Sequence, residues 1–125
     1  MLKTQEKFYL ADHSIKYALY GFSPASIAST IENIVFFELK RRGFEVYIGK
    51  NANKEIDFAA VMRGEKIYIQ VCRELPADFD REIANLTEIK DNYPKMVITL
   101  DDYACGNING IKIVHLADFL LDESI

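Results

Sequence analysis

The stretch EIDFAAVMRGEKIYIQVC, Glu55 to Cys72, decides the fold. Two runs rich in β-branched and apolar residues flank Arg63 and Gly64, a two-residue connection of the kind that closes a β-hairpin. With Met62 facing Glu65 across that turn, Asp57 falls directly opposite Gln70. Side chains alternate along a strand, so Ile56, Phe58 and Ala60 share one face with Ile67, Ile69 and Val71. The other face gathers Glu55, Asp57, Tyr68, Gln70 and Cys72. An amide near the centre of IYIQVC is out of place in a buried strand and calls for an explanation.

Outward from the hairpin, FEVYIG reads as a preceding strand and KNANK as a polar loop, which makes a three-stranded meander. Before it, SPASIASTIENIVFFELKRRG predicts a long helix. Ser23 is placed to cap it, Pro24 lies in the first turn, Lys40, Arg41 and Arg42 in the last, and Gly43 stops it. Its apolar residues Ile27, Ile31, Ile34, Val35, Phe36, Phe37 and Leu39 cover enough of the circumference to predict burial on more than one side. At the N-terminus, KFYLAD reads as a short strand and HSIKYALYG as a short helix closed by Gly21. After the hairpin, Pro76 and Asp78 open an amphipathic helix running to Tyr93, MVITL is a buried strand, DDYACGNING a turn-rich loop, GIKIVHL a last strand and ADFLLDE a closing helix.

A chain of 125 residues that is 50% hydrophobic and 27% charged suits one core. Its net charge of −4 argues against a generally basic nucleic-acid binder, while leaving room for a local patch. The two cysteines, Cys72 and Cys105, form no CxxC pair and no cluster with histidine, so neither a zinc site nor a disulfide framework is suggested. They are expected as thiols in a reducing cytoplasm. No apolar run approaches the ~20 residues of a membrane span, and MLKTQEKFYL lacks the layout of a secretory signal, so a soluble intracellular protein is expected. The direct entry into structure at KFYLAD, with no linker, is what a domain excised from a longer protein shows.

Acidic groups brought together from the long helix and the hairpin can hold Mg²⁺, which takes hard oxygen ligands and activates water at a phosphate. On the helix, Glu32 sits three, four and seven residues from Val35, Phe36 and Leu39, and Glu38 has comparable neighbours, so periodicity leaves both open.

The order helix, three strands, helix, strand, with ENIVFFELKRRGFEVY, EIDF and IYIQVC in their places, resembles the restriction-endonuclease-like or PD-(D/E)xK nucleases. That family carries a Glu on the first helix, an Asp on the second strand and an E-x-K on the third. The resemblance maps these onto Glu32, Asp57 and Gln70-Val71-Cys72, so the metal-binding carboxylate has become an amide and the catalytic lysine a thiol. It implies an α/β fold with a mixed central sheet flanked by helices, 1–125 forming one domain, with 1–22 as a strand and helix extension and 23–125 as the core. It also implies a degenerate, vestigial site at Glu32, Asp57, Gln70 and Cys72, since an amide brings no charge to a metal and a thiol cannot stabilise a phosphorane-like transition state.

A closer likeness runs from KFYLAD to ADFLL through ENIVFFELKRRGFEVYIGK, EIDFAA, GEKIYIQV, IKDNYPKMVITLD and GIKIVHLADFL. In these motifs the chain is similar to the C-terminal domain of unknown function carried by prokaryotic AAA+ family ATPases, which implies an ATPase module elsewhere in a longer parent. The nearest P-loop candidate here, GFEVYIGKN, has five residues between its glycines and lacks the Ser/Thr after Lys50. No cofactor is expected for a degenerate site. The expected role is recognition of DNA or protein. Alternatives are an active Mg²⁺-dependent nuclease with Glu32, Glu55 and Asp57 on the metal, or a homodimerisation module using Tyr9, Tyr17, Tyr20 and Tyr47.

Plainer readings stand beside these. Asp57 can pair with Lys50 or Lys54, Glu32 with Lys16, and Gln70 can bond across the sheet for structural reasons only. Cys72 reads as a small buried hydrophobe, His115 as a core or edge histidine, and Lys40, Arg41 and Arg42 as a helix C-terminal charge cluster.

Overall fold

A computed structural model of the chain describes residues 4–51, 54–72, 86–87, 92–101 and 106–122. Helix α1 (Thr4–Leu19) takes the place of the expected N-terminal strand and short helix. The local apolar run Phe8-Tyr9-Leu10 suggests a strand, but the row Asp12, Ile15 and Leu19 has helical spacing and carries the contacts. Leu19 is buried, Ile15 packs beside it, and Asp12 pairs with Lys16 at 3.1 Å, an i,i+4 contact that a strand cannot make.

Helix α2 (Pro24–Arg41) begins where Ser23 Oγ accepts the Ser26 N–H at 3.2 Å, and Gly43 turns the chain away with φ +95°. Its buried stripe is Ile27, Ile31, Val35 and Leu39, with Ile34 and Phe36 at its margins. Phe37 is 67% exposed, so α2 buries one face and not several. Strict i,i+4 spacing of the stripe leaves the extra phenylalanine on the solvent side.

Six strands form one mixed sheet in the order β1-β2-β3-β4-β6-β5, from β1 (Glu45–Asn51), β2 (Lys54–Met62), β3 (Glu65–Cys72), β4 (Lys95–Thr99), β5 (Gly106–Ile108) and β6 (Ile111–His115). Strands β1 to β3 are antiparallel, β4 runs parallel to β3, β6 parallel to β4, and β5 antiparallel to β6. The hairpin register is the one the sequence predicts, from Met62 opposite Glu65 to Phe58 opposite Ile69. Arg63 and Gly64 take φ of 54° and 81°, the paired positive angles of a type I′ turn, whose twist matches the strands.

The expected loop DDYACGNING hides strand β5. Asn109 and Gly110, at φ 53° and 83°, repeat the same turn, and Asn107 Oδ1 accepts the Gly110 N–H at 3.0 Å. Of the helix expected between Pro76 and Tyr93, only Leu86 and Thr87 are described as helical, and the remainder falls largely outside the described residues. Asn92 and Tyr93 form a bend, so Tyr93 does not belong to that helix. The short helix α3 (Leu116–Leu121) closes the fold. GFEVYIGKN becomes Gly43 and strand β1, leading into another strand and not into the helix N-terminus on which a phosphate cradle depends.

One face of the sheet, with Phe58, Ala60, Ile69, Met96, Ile98 and Val114, packs against α1, α2 and α3. The other gathers Val97, Ile111, Ile113 and Leu86, with Tyr68 and Cys72 against them. Arg42 binds the first layer together: its side chain is 7% exposed, Nε meets Glu38 Oε1 at 2.9 Å, Nη2 donates to the Phe119 carbonyl at 2.6 Å, and the guanidinium lies 4.7 Å from the Phe119 ring centre. The result is an α/β fold, a mixed sheet flanked by helices α1, α2 and α3 among the described residues, consistent with the restriction-endonuclease-like arrangement. Among the described residues no helix is long and apolar enough to cross a membrane.

Candidate functional site

The ladder between β2 and β3 stops at Phe58 and Ile69. On the opposite edge of β2, Tyr47 faces Ala59 and Gly49 faces Ile56, so Asp57 and Phe58 together oppose Ile48. That two-against-one arrangement is a bulge in β2, which bends a strand and re-aims its side chains. Beyond it β3 continues beside β4 as far as Cys72 opposite Thr99. Asp57 thus stands at a fork.

Two side chains close the fork. Gln70 Oε1 accepts the Asp57 backbone N–H at 3.2 Å, and Asp57 Oδ2 accepts the Val71 backbone N–H at 2.8 Å. Amide protons left over where the ladder ends are thereby satisfied. The neutral oxygen of Gln70 performs this without setting a second negative charge beside Asp57 in a half-buried place, where like carboxylates repel unless a cation joins them. The question raised by IYIQVC has a structural answer: the amide holds the fork.

Of the other expected site residues, Glu32 is not joined to this point. Tyr68 and Cys72 flank Gln70 on β3 and pack against Leu86, Val97, Ile111 and Ile113, so Gln70 belongs by alternation to the sheet face away from α2. Glu32 is half-buried on α2, which packs on the other face. Among the described residues, no hydrogen bond or ion pair joins Glu32 to Asp57 or Gln70. Lys16, its suggested partner, is held by Asp12. Glu55 lies in β2 opposite Lys50, before the bulge at Asp57 and Phe58; the Glu55 side chain lies outside the described residues, as do those of Lys50 and Lys54. Glu38 is engaged by Arg41 at 2.7 Å and Arg42 at 2.9 Å, and its carboxyl is held below the usual carboxylate range, the Arg41 hydrogen bond being the largest cause. Among the described residues no three His, Cys, Asp or Glu side chains are grouped to hold a metal.

No family model matches the chain. It is 42% identical over 120 residues to an uncharacterized protein of Haemophilus influenzae, a match that covers 96% of this chain and 30% of that protein. It is 32% identical over 124 residues to an uncharacterized protein of Methanocaldococcus jannaschii, covering 91% of this chain and 27% of that one. The chain therefore spans about a third or less of the length of these curated relatives.

Sequence reasoning missed two features of this neighbourhood. The bulge at Asp57 leaves no mark in an alternating pattern. A cluster of Lys66, Tyr68, Tyr93 and Lys95 on the Gln70 side of the sheet was partly visible, because Lys66, Tyr68, Gln70 and Cys72 share one parity on β3. His115 is fully buried, as a core histidine should be: its Nδ1 accepts the Ala117 N–H at 3.0 Å, capping α3, and its Nε2 lies 3.2 Å from Asp12 Oδ1. With Nδ1 accepting, the ring proton of the neutral form sits on Nε2.

Proposed function

We propose that this chain is a catalytically degenerate domain of the PD-(D/E)xK nuclease kind, serving as a cytoplasmic recognition module, for DNA or protein, of a longer AAA+ type ATPase. The observation that carries the reading is the fork itself, where the oxygens of Asp57 and Gln70 accept backbone amide protons. A Mg²⁺ site needs hard, charged oxygens free to converge on the ion. A carboxylate oxygen engaged with the Val71 N–H and a neutral amide oxygen engaged with the Asp57 N–H are weak donors for such an ion, and Cys72 lies in an apolar cluster where the family's lysine belongs. Placement in a longer protein is supported by relatives that extend well beyond the matched segment. Incubating purified protein with supercoiled plasmid and Mg²⁺ or Mn²⁺ tests the loss of chemistry: no nicking above that of Asp57→Ala is expected. Nicking that disappears in Asp57→Ala overturns it.

A second reading, self-association, is favoured by exposed aromatics. Tyr17 and Tyr20 are 81% and 88% exposed, and the edge strand β1 shows Tyr47 and the 78% exposed Ile48 to solvent. Light scattering over a dilution series decides it, since a monomer at every concentration removes this reading.

A further inference from the structure

We infer that strand β1 is the surface through which two copies of this chain join, pairing antiparallel about Ile48 into one continuous sheet. The inference rests on the self-association reading and gives it a surface and a register. The sheet ends in β5 on one side and β1 on the other. β5 is three residues long, and so short an edge offers a second strand little to pair with. β1 runs over seven, and among the described residues no strand lies against its outer side. A proline, a central lysine or a bulge in the edge strand itself guards such an edge in other sheets. EVYIGKN has no proline, its middle residues Val46 to Gly49 carry no charge, and the extra residue of the bulge belongs to β2. The strand instead shows Tyr47, 55% exposed, and Ile48, 78% exposed.

A two-fold pairing of antiparallel strands must set one residue opposite its own copy. Ile48 is the midpoint of Glu45–Asn51, so the register that uses the whole strand sets Ile48 against Ile48 of the second copy, two β-branched side chains that fit a pleated surface. In that register Tyr47 faces Gly49, Val46 faces Lys50 and Glu45 faces Asn51, each twice. The tyrosine meets a residue with no side chain to crowd its ring, the pairing by which an aromatic rescues an edge glycine, and no like charges oppose each other. Tyr47 Oη already donates to Glu45 Oε2 at 2.9 Å, so covering the ring strands no hydroxyl. Shifting the centre to Tyr47 sets Gly49 against Glu45 and gives up part of the overlap, and shifting it to Gly49 sets two glycines face to face.

Sedimentation equilibrium of the purified protein is expected to show a dimer that dissociates on dilution. Ile48→Lys and Ile48→Glu each set like charges directly opposite one another and are expected to weaken it about tenfold or more, with circular dichroism unchanged because the side chain is largely exposed. Mixing the two variants is expected to restore a dimer containing one of each, counted by native mass spectrometry, since residue 48 then faces the opposite charge. Tyr17→Ala/Tyr20→Ala is expected to keep the wild-type affinity. A dimer that either Ile48 variant leaves at full strength, one lost in Tyr17→Ala/Tyr20→Ala, or Ile48 variants that fail to recombine overturns the inference, while self-association through another surface stands. A wild type that is monomeric at every concentration removes the inference and the self-association reading together. The degenerate-nuclease reading is untouched by any of these results.

Discussion

Gln70 takes the amide proton of Asp57 at 3.2 Å, and the carboxylate of Asp57 takes the proton of the amide next to Gln70, that of Val71, at 2.8 Å. This exchange replaces the ladder at the point where β2 bulges and β3 goes on beside β4 alone. It makes position 70 sensitive to charge and to the loss of an acceptor in different ways.

Gln70→Glu sets two carboxylates at the fork. In EDTA the variant is expected to lose about 1–2 kcal/mol of stability by like-charge repulsion in a half-buried place, and to regain most of it in Mg²⁺. Gln70→Ala, which strands the Asp57 N–H, is expected to lose a similar amount with no recovery in Mg²⁺. Urea midpoints with and without the cation check both.

Arg42 and Arg41 contact the same glutamate from very different settings. Arg42 is buried against Phe119, whereas the Arg41 side chain is 58% exposed. Arg42→Ala is expected to cost about 3–5 kcal/mol, since it leaves Glu38 short of a buried partner and frees the end of α3. Arg41→Ala is expected to cost under about 1 kcal/mol. Thermal or urea unfolding of the two variants gives the comparison.

Glu38 also gives stability a pH dependence. Its folded-state carboxyl titrates below its ordinary value of 4.5, so the protein holds fewer protons there than the unfolded chain does. The contribution is present in full above the unfolded value and is lost as pH falls through the lowered folded one. Unfolding free energy measured from pH 6 down to about pH 3 should decline less steeply in Glu38→Gln than in the wild type.

His115 joins α1 to the start of α3. Asp12→Ala removes the carboxylate whose Oδ1 lies 3.2 Å from the fully buried Nε2, together with the Asp12–Lys16 pair, and is expected to cost about 1–3 kcal/mol. Hydrogen exchange should show α1 amides losing more protection than those of β2 and β3. Equal loss in both would mean that the contact does not act locally.

The hairpin was legible because Arg63-Gly64 sets the register and alternation sets the faces, and α2 because Ser23, Pro24 and Gly43 mark its ends. Helix α1 was not, since Phe8-Tyr9-Leu10 outweighed the helical row of Asp12, Ile15 and Leu19, which matters only once α3 packs beside it. Strand β5 is three exposed residues, and only Asn109-Gly110 announces it. Asp57 and Gln70 were recognised as a pair, but the hydrogen bonds they make depend on a bulge that a repeating pattern conceals. The grouping of Glu32 with them followed from the helix's apolar spacing, while the packing of α2 puts that helix on the face away from Gln70. Arg42 reaches a carbonyl 77 residues away, a contact without a local signature.

In the proposed degenerate site, the Asp57 and Gln70 oxygens serve the backbone and not a metal ion. Titrating Mn²⁺ into the protein and reading the free ion by electron paramagnetic resonance tests this most directly. No stoichiometric binding is expected, with the same curve for wild type and Asp57→Ala. One equivalent of bound Mn²⁺ that vanishes in Asp57→Ala would contradict it.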